Sequence, residues 1–196
     1  MDSVSYSLGI VLAANLKNQG FSSINSEELA KGFADSLNDS ATLSVEEADA
    51  NIREVMTKIQ EEKAAEAKSE GENFLAENSK KDGIEMTESG LQYNHEQLGE
   101  GDSPSAEDTV TVHYKGTLID GTEFDSSYKR GEPISFPLNG VIPGWTEGLQ
   151  LMKVGGKTTF YIPQELAYGA RPNPNGPIPP YAALIFEVEL IEIKKA

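Results

Sequence analysis

The chain contains no cysteine, which excludes disulfides, thiolate metal sites and thiol nucleophiles. It has only two histidines, His95 and His113, far apart and without a surrounding pattern of paired carboxylates, so no metal cage of ordinary spacing is available. No metal and no cofactor are expected. Long hydrophobic runs are missing too, and nothing approaches the ~20 apolar residues that a spanning helix needs. The stretch from Val4 to Leu16 is fairly apolar, but Ser5, Ser7 and Asn15 interrupt it, and Asp2 stands where a leader would carry Lys or Arg. A cytoplasmic protein without membrane contact is expected. The alternative is a periplasmic form trimmed of its signal peptide and given a new Met.

Positive charge is scarce, with 16 Lys+Arg against 32 Asp+Glu and a formal net charge of −16. That balance argues against a nucleic-acid backbone or an anionic membrane as the main partner. Residues 1–82 carry 16 acidic and 8 basic side chains, and residues 83–196 carry the same numbers. The acidity therefore belongs to the whole surface and not to a tail.

Apolar spacing divides the chain in two. Val4, Leu8, Val11 and Leu12 recur at helical spacing over residues 3–19, with Ser3 as a candidate cap and Gly20 as the stop. A second short helix starts at Ser26 and puts Leu29, Phe33 and Leu37 on one face. Ser44-Val45-Glu46-Glu47 reads as a capping box. A long helix without proline follows to about Lys81, and its seam Val45, Ala48, Ile52, Val55, Ile59 is narrow, of the coiled-coil kind. Beyond Ile59 the segment Glu61–Lys68 is polar on nearly every side, which predicts a solvent-bridging arm. Residues 1–60 cannot form a good core alone. Their apolar faces are expected to meet a second copy of the chain, giving a homodimer; folding back onto the second domain is the alternative. The expected domains are 1–82, a helical dimerisation domain with its arm, and 83–196.

The second domain has β punctuation, and Met86 to Tyr93 suggests a first strand or hairpin edge. Alternation runs from Thr109 to Thr117, around Ile134–Leu138, from Lys157 to Pro163 and from Leu184 to Ile193, while Trp145, Leu149 and Met152 step at helical spacing after Pro143-Gly144. The fold class is α+β, an antiparallel sheet of about five strands curled over one short helix.

Hydrolytic and phosphate chemistries find no support. No G-x-S-x-G surrounds Ser126-Ser127. Gly140, Gly144, Gly148 and Gly155-Gly156 make no phosphate-binding loop. Glu123 and Asp125 flank Phe124 on one face, too close for a glycosidase pair. What remains is a set of aromatics from six separate elements, namely Tyr114, Phe124, Phe136, Trp145, Tyr168 and Phe186. Plain core packing would account for Phe136 and Phe186. It does not account for Trp145 straight after Pro-Gly, or for Tyr168 in a loop.

Five segments then resemble one known family. Val112-His113-Tyr114-Lys115-Gly116, Gly121-Thr122-Glu123-Phe124-Asp125-Ser126-Ser127, Val141-Ile142-Pro143-Gly144-Trp145, Ala167-Tyr168-Gly169 and Ile178-Pro179-Pro180 resemble, in family order, the FK506-binding peptidyl-prolyl cis-trans isomerases over about residues 90–195. The helical first half is similar in architecture to the bacterial macrophage-infectivity-potentiator subgroup, whose N-terminal domains dimerise. The resemblance implies a half-barrel wrapped on one helix and a rotamase that speeds proline-limited folding of unfolded or proline-containing polypeptides, as a dimeric foldase or chaperone. A non-catalytic chaperone or proline-peptide binding module is the alternative. It also implies inhibition by macrolides of the FK506 class.

By motif position the resemblance makes Trp145 the floor of a proline pocket and Phe124, Phe186 and Tyr114 its walls, with Phe136, Val141 and Ile178 completing it. The Ile142 backbone N–H and the Tyr168 hydroxyl would bind substrate carbonyls. Asp125 would be the one acidic group, and the residues implied in catalysis are Asp125, Phe124, Tyr168 and Tyr114. The chain departs from the family at Leu166, where an aromatic is frequent, and in the proline-rich loop from Arg171 to Pro177.

Overall fold

The computed structural model describes residues 2–21, 23–174 and 176–196. Packing divides the chain into residues 1–62 and 63–196.

The first unit is helical. Helix α1 is Ser3–Asn18, and its cap is Asp2, one residue before the expected Ser3; the Asp2 carboxylate accepts from the Val4 N–H at 3.1 Å. Helix α2, Ser26–Leu37, is capped by Asn25, which accepts from the N–H groups of Glu27 and Glu28. Helix α3, Val45–Asn78, opens on the expected capping box: Ser44 N–H donates to Glu47 Oε2 at 2.9 Å, and Glu47 N–H donates to Ser44 Oγ at 3.2 Å. Neither α1 nor α2 buries a residue. Phe33 is 65% exposed and Leu37 71%, so these helices lack a core of their own.

By packing, the division falls inside α3. The reason is that the helix past Glu62 is not polar all round. Gly71 and Asn78 are buried, and Phe74 and Leu75 are half-buried between them. These positions step by three and four and form one face.

Among the described residues, the second unit is built on an antiparallel sheet of seven strands: β1 Glu85–Met86, β2 Gln92–Gln97, β3 Thr109–Leu118, β4 Glu123–Ser126, β5 Ile134–Pro137, β6 Lys157–Ile162 and β7 Leu184–Lys194. Their order is β1-β2-β6-β7-β3-β4, and β5 also pairs with β3. The sequence suggested about five strands. The two extra ones, β1 and β4, have two and four residues, too short to show a period. The centre is the long β3/β7 pair, with Tyr114 opposite Val188 and Gly116 opposite Phe186. Along β3, Val110, Val112, Tyr114 and Gly116 are buried while Thr111, His113 and Lys115 point the other way and are half-buried, as a period of two requires.

Two short helices complete this unit where one was expected, α4 at Ser127–Arg130 and α5 at Pro143–Gln150. Pro143 starts α5 at a position where its missing N–H is harmless. The helix lies on the sheet with Trp145 and Leu149 buried, together with Phe160, Ile162, Leu184 and Val188. The outer edge of β3 is shared: β4 pairs with Lys115–Thr117 and β5 with Thr109–Val112. Between them α4 fills the gap beside His113 and Tyr114.

Candidate active site

Each aromatic arrives from a different element, so their meeting is a product of the fold. Tyr114 comes from β3, Phe124 from β4, Phe136 from β5, Trp145 from α5 and Phe186 from β7. The Trp145 ring stands edge-on to Tyr114 at 5.1 Å and to Phe186 at 5.0 Å, and Phe124 stands edge-on to Phe186 at 5.4 Å. Phe136 is tilted against Trp145 at 5.4 Å. Such edge-to-face pairs are favourable beyond the area they bury.

These rings line a cavity of about 700 Å³. All ten residues expected from the motifs border it. Val141 and Ile142 enter from the turn that leads into α5, and Tyr168 and Ile178 from the long loop before β7. That turn is tied down by the Thr146 hydroxyl, which donates to the Leu138 carbonyl at 2.8 Å. Pro172, Asn173, Gly176 and Pro177 also border the cavity, so the proline-rich departure from the family lies on the rim; Asn175 of that loop is outside the described residues. Leu166 sits in a short 3-10 turn, half-buried against the core.

Polar groups are few. Among the described residues, the Ile142 N–H, the Tyr168 hydroxyl and the buried Trp145 Nε1–H have no protein acceptor. Burial, and next the charge of Asp125, push the Tyr168 phenol up. Asp125 has both oxygens engaged: the Tyr114 hydroxyl donates to one and Arg130 to the other, and Arg130 also donates to the Tyr114 oxygen at 2.8 Å. Burial alone would raise the Asp125 carboxyl, but the Tyr114 and Arg130 hydrogen bonds outweigh it and hold the group below the ordinary carboxylate range. Asp125 is therefore a carboxylate with a partner on each oxygen, an anchor and not a free base. Glu123, weighed beside it, is paired elsewhere, with Lys129 at 2.9 Å.

Sequence reading missed Arg130 and the structural role of Ser127. Arg130 is five residues past Asp125, and only α4 turns it back. Ser127, considered as a nucleophile, is completely buried. Its hydroxyl accepts from the Tyr114 N–H at 2.8 Å, donates to the Tyr114 carbonyl at 3.2 Å and meets His113 Nδ1 at 2.9 Å. It serves the strand edge and has no access to a substrate. His113 stacks on Tyr128 at 4.7 Å, a structural role for a strand histidine. Among the described residues no cluster of metal-ligating side chains occurs, and no helix is long and apolar enough to cross a membrane.

Two family models match successive parts of the chain. Residues 101–191 match the family model of the FKBP-type peptidyl-prolyl cis-trans isomerases, and residues 1–94 match the model for the domain amino-terminal to that isomerase. The chain is 46% identical to an FKBP-type peptidyl-prolyl cis-trans isomerase FkpA of Aeromonas hydrophila, over 98% of this chain and 74% of the relative. It is 45% identical to an FKBP-type 22 kDa peptidyl-prolyl cis-trans isomerase of Escherichia coli, over 96% and 93%, and 45% identical to the outer membrane protein MIP of Legionella longbeachae, over 100% and 86%. The crystal structure of FkpA from Escherichia coli superposes with a TM-score of 0.80 at 40% identity, covering 99% of this chain and 94% of that one. A relative named for the outer membrane gives the expected cytoplasmic location no support.

Proposed function

We propose, for a chain that belongs to the family of FKBP-type peptidyl-prolyl cis-trans isomerases, that the aromatic cavity over Trp145 is where the reaction takes place. The reaction is rotation about the peptide bond that precedes proline. Its barrier is ~18–20 kcal/mol, because that C–N bond is partly double. The two planar forms before proline differ by only about 0.5–1 kcal/mol, so a catalyst has to lower the barrier and nothing more. No covalent bond is made or broken.

The observation that carries the reading is the combination of a ring-lined cavity of about 700 Å³ with very few polar groups, whose one carboxylate already has a hydrogen-bond partner on each oxygen. A planar amide is charge-separated and well solvated by water; the twisted transition state is less polar. A dry cavity removes water's preference for the planar form. The proline ring stacks on Trp145, between Phe124, Phe186 and Tyr114, with Phe136, Val141 and Ile178 closing the slot. The Ile142 N–H and the Tyr168 hydroxyl hold the carbonyls on either side and fix the twisted geometry. Asp125, clamped by Arg130, orients Tyr114 and needs no proton transfer. A macrolide of the FK506 class would occupy the same slot and compete with peptide.

The exposed faces of α1 and α2 support a homodimer, because neither helix buries a residue and large contiguous apolar surfaces mark association sites. Two cavities on one dimer would engage a single unfolded client at two prolines and act as a foldase.

The test is proline-limited refolding of a client protein, run beside isomerisation of a proline tetrapeptide. Phe124→Ala and Asp125→Ala should both lose peptide turnover while the domain stays folded. A chain that suppresses aggregation yet leaves the proline-limited phase unchanged would make it a binding module only.

A further inference from the structure

We propose that the last turns of α3 are part of the catalytic domain's positioning frame: Gly71, through the segment Tyr181–Ala183, sets where Tyr168 and Phe186 stand in the cavity. This rests on the cavity being the isomerase site.

Four contacts fix α3 on the domain. A Cβ built on Gly71 would lie 3.1 Å from Ala183 Cβ and 3.3 Å from Ala183 N, so helix and loop touch at backbone distance. Phe74 packs on the Tyr161 ring of β6 at 6.0 Å. The Gln92 side-chain amide donates to the Leu75 carbonyl at 2.8 Å, and Asn78 donates to Gln92 Oε1 at 3.0 Å. Three of these anchor the helix beyond residue 71. A bulkier residue at 71 must therefore push on the loop, since the helix cannot lift away there.

The loop passes any displacement into the cavity by two short routes. Tyr181 has φ +61, a backbone conformation unfavourable for a bulky side chain and kept only where surroundings enforce it. They do so here. The Tyr181 N–H donates to the Gly169 carbonyl at 2.8 Å, and Lys68 of α3 lies 5.9 Å from the centre of its ring. Gly169, itself at φ +55, directly follows Tyr168. The second route is covalent: Ala183 is the residue before β7, whose Phe186 is a cavity wall.

Gly71 is also the wrong residue for helix stability alone. Glycine inside a helix is less favourable than alanine, and nothing in the backbone of α3 calls for it. The close approach to Ala183 does.

That conflict makes the test clean. In the full-length chain, Gly71→Ala should change the thermal midpoint little, because the gain in helix preference offsets the cost of the tight contact with Ala183, while kcat/KM on a proline tetrapeptide falls roughly 3- to 10-fold from misplacement of the cavity groups. Adding Ala183→Gly removes the nearer opposing atom, the methyl at 3.1 Å, and leaves the backbone N at 3.3 Å, so the double variant should recover most of the loss, to within about threefold of Ala183→Gly alone. Phe124→Ala serves as the control for the cavity. If Phe124→Ala loses activity but Gly71→Ala does not, or if Gly71→Ala loses it without recovery in the double variant, the positioning role is wrong. If Phe124→Ala leaves activity unchanged, the cavity reading falls, and this inference falls with it.

Discussion

A Cβ on residue 116 would sit 2.6 Å from Cε2 of Phe124 and 2.8 Å from Cε1 of Phe186. Two walls of the cavity thus lean on the bare backbone of Gly116, in mid-strand, where glycine is otherwise unfavourable. Gly116→Ala should force both rings aside. We expect a loss of about 1–3 kcal/mol in stability from overpacking and a fall in peptide kcat/KM on the order of 10- to 100-fold. Denaturant titration and a proline-tetrapeptide assay on the same preparation check both; an active alanine variant would show that the rings do not set the rate.

The Ser127 hydroxyl replaces a missing strand partner at Tyr114, accepting from its N–H and donating to its carbonyl. In Ser127→Ala the buried Tyr114 N–H and carbonyl lose that partner, a cost of about 1–3 kcal/mol. Urea unfolding should register it. Peptide turnover measured well below the unfolding midpoint should fall less than in the Gly116 variant, because Tyr114 keeps its hydroxyl bonds to Asp125 and Arg130. Wild-type stability in the alanine form would contradict this role.

The pH dependence follows from the sign of the Asp125 shift. Its carboxyl is depressed in the folded protein relative to the ordinary 3.8. Stability and site order from this group are therefore fully present above that value and are lost only as pH falls through the lower, folded value. Peptide kcat/KM should be flat from neutral pH down to about the ordinary carboxylate value. Arg130→Gln removes one of the two bonds that hold the group down, so its acid limb should move upward. A limb unmoved by this substitution would mean that Arg130 does not govern Asp125.

Residues 1–62 form a separate unit, and the useful cut lies there, because a cut at 82 would also remove the part of α3 that packs on the sheet. The 63–196 fragment should be a monomer by light scattering and should keep peptide turnover within about twofold. On an unfolded client its advantage should drop by up to about 10²-fold, the scale on which linked sites raise affinity. A fragment that handles whole proteins as well as the intact chain does would remove any need for the dimer.

Much of the site could be read before any coordinates. Tyr114, Phe124, Trp145, Tyr168 and Phe186 sit in motifs whose order and residue types left few other readings, and the Pro143 entry to α5 is local chemistry. The helix starts were legible for the same reason, since a capping group such as Ser44 acts over two or three residues; at α1 the choice between Asp2 and Ser3 was missed by one position, and at α2 the start at Ser26 was read without its cap, Asn25. Arg130 was not legible, because a cation five residues from a carboxylate has no fixed relation to it until α4 bends the chain.

Sequence alone determined the long helices, the longer strands and a short set of rings that border one cavity, because capping, period and turn geometry are set by near neighbours. Only tertiary structure decided where the parts divide. Ala64, Ala67, Gly71, Phe74, Leu75 and Asn78 do step by threes and fours, but a face that small and mixed looks polar until a surface is brought against it. The surface is made by Gln92, Tyr161 and Ala183, three positions distant from the helix and from one another in sequence, and such a contact exists only once the chain has closed on itself.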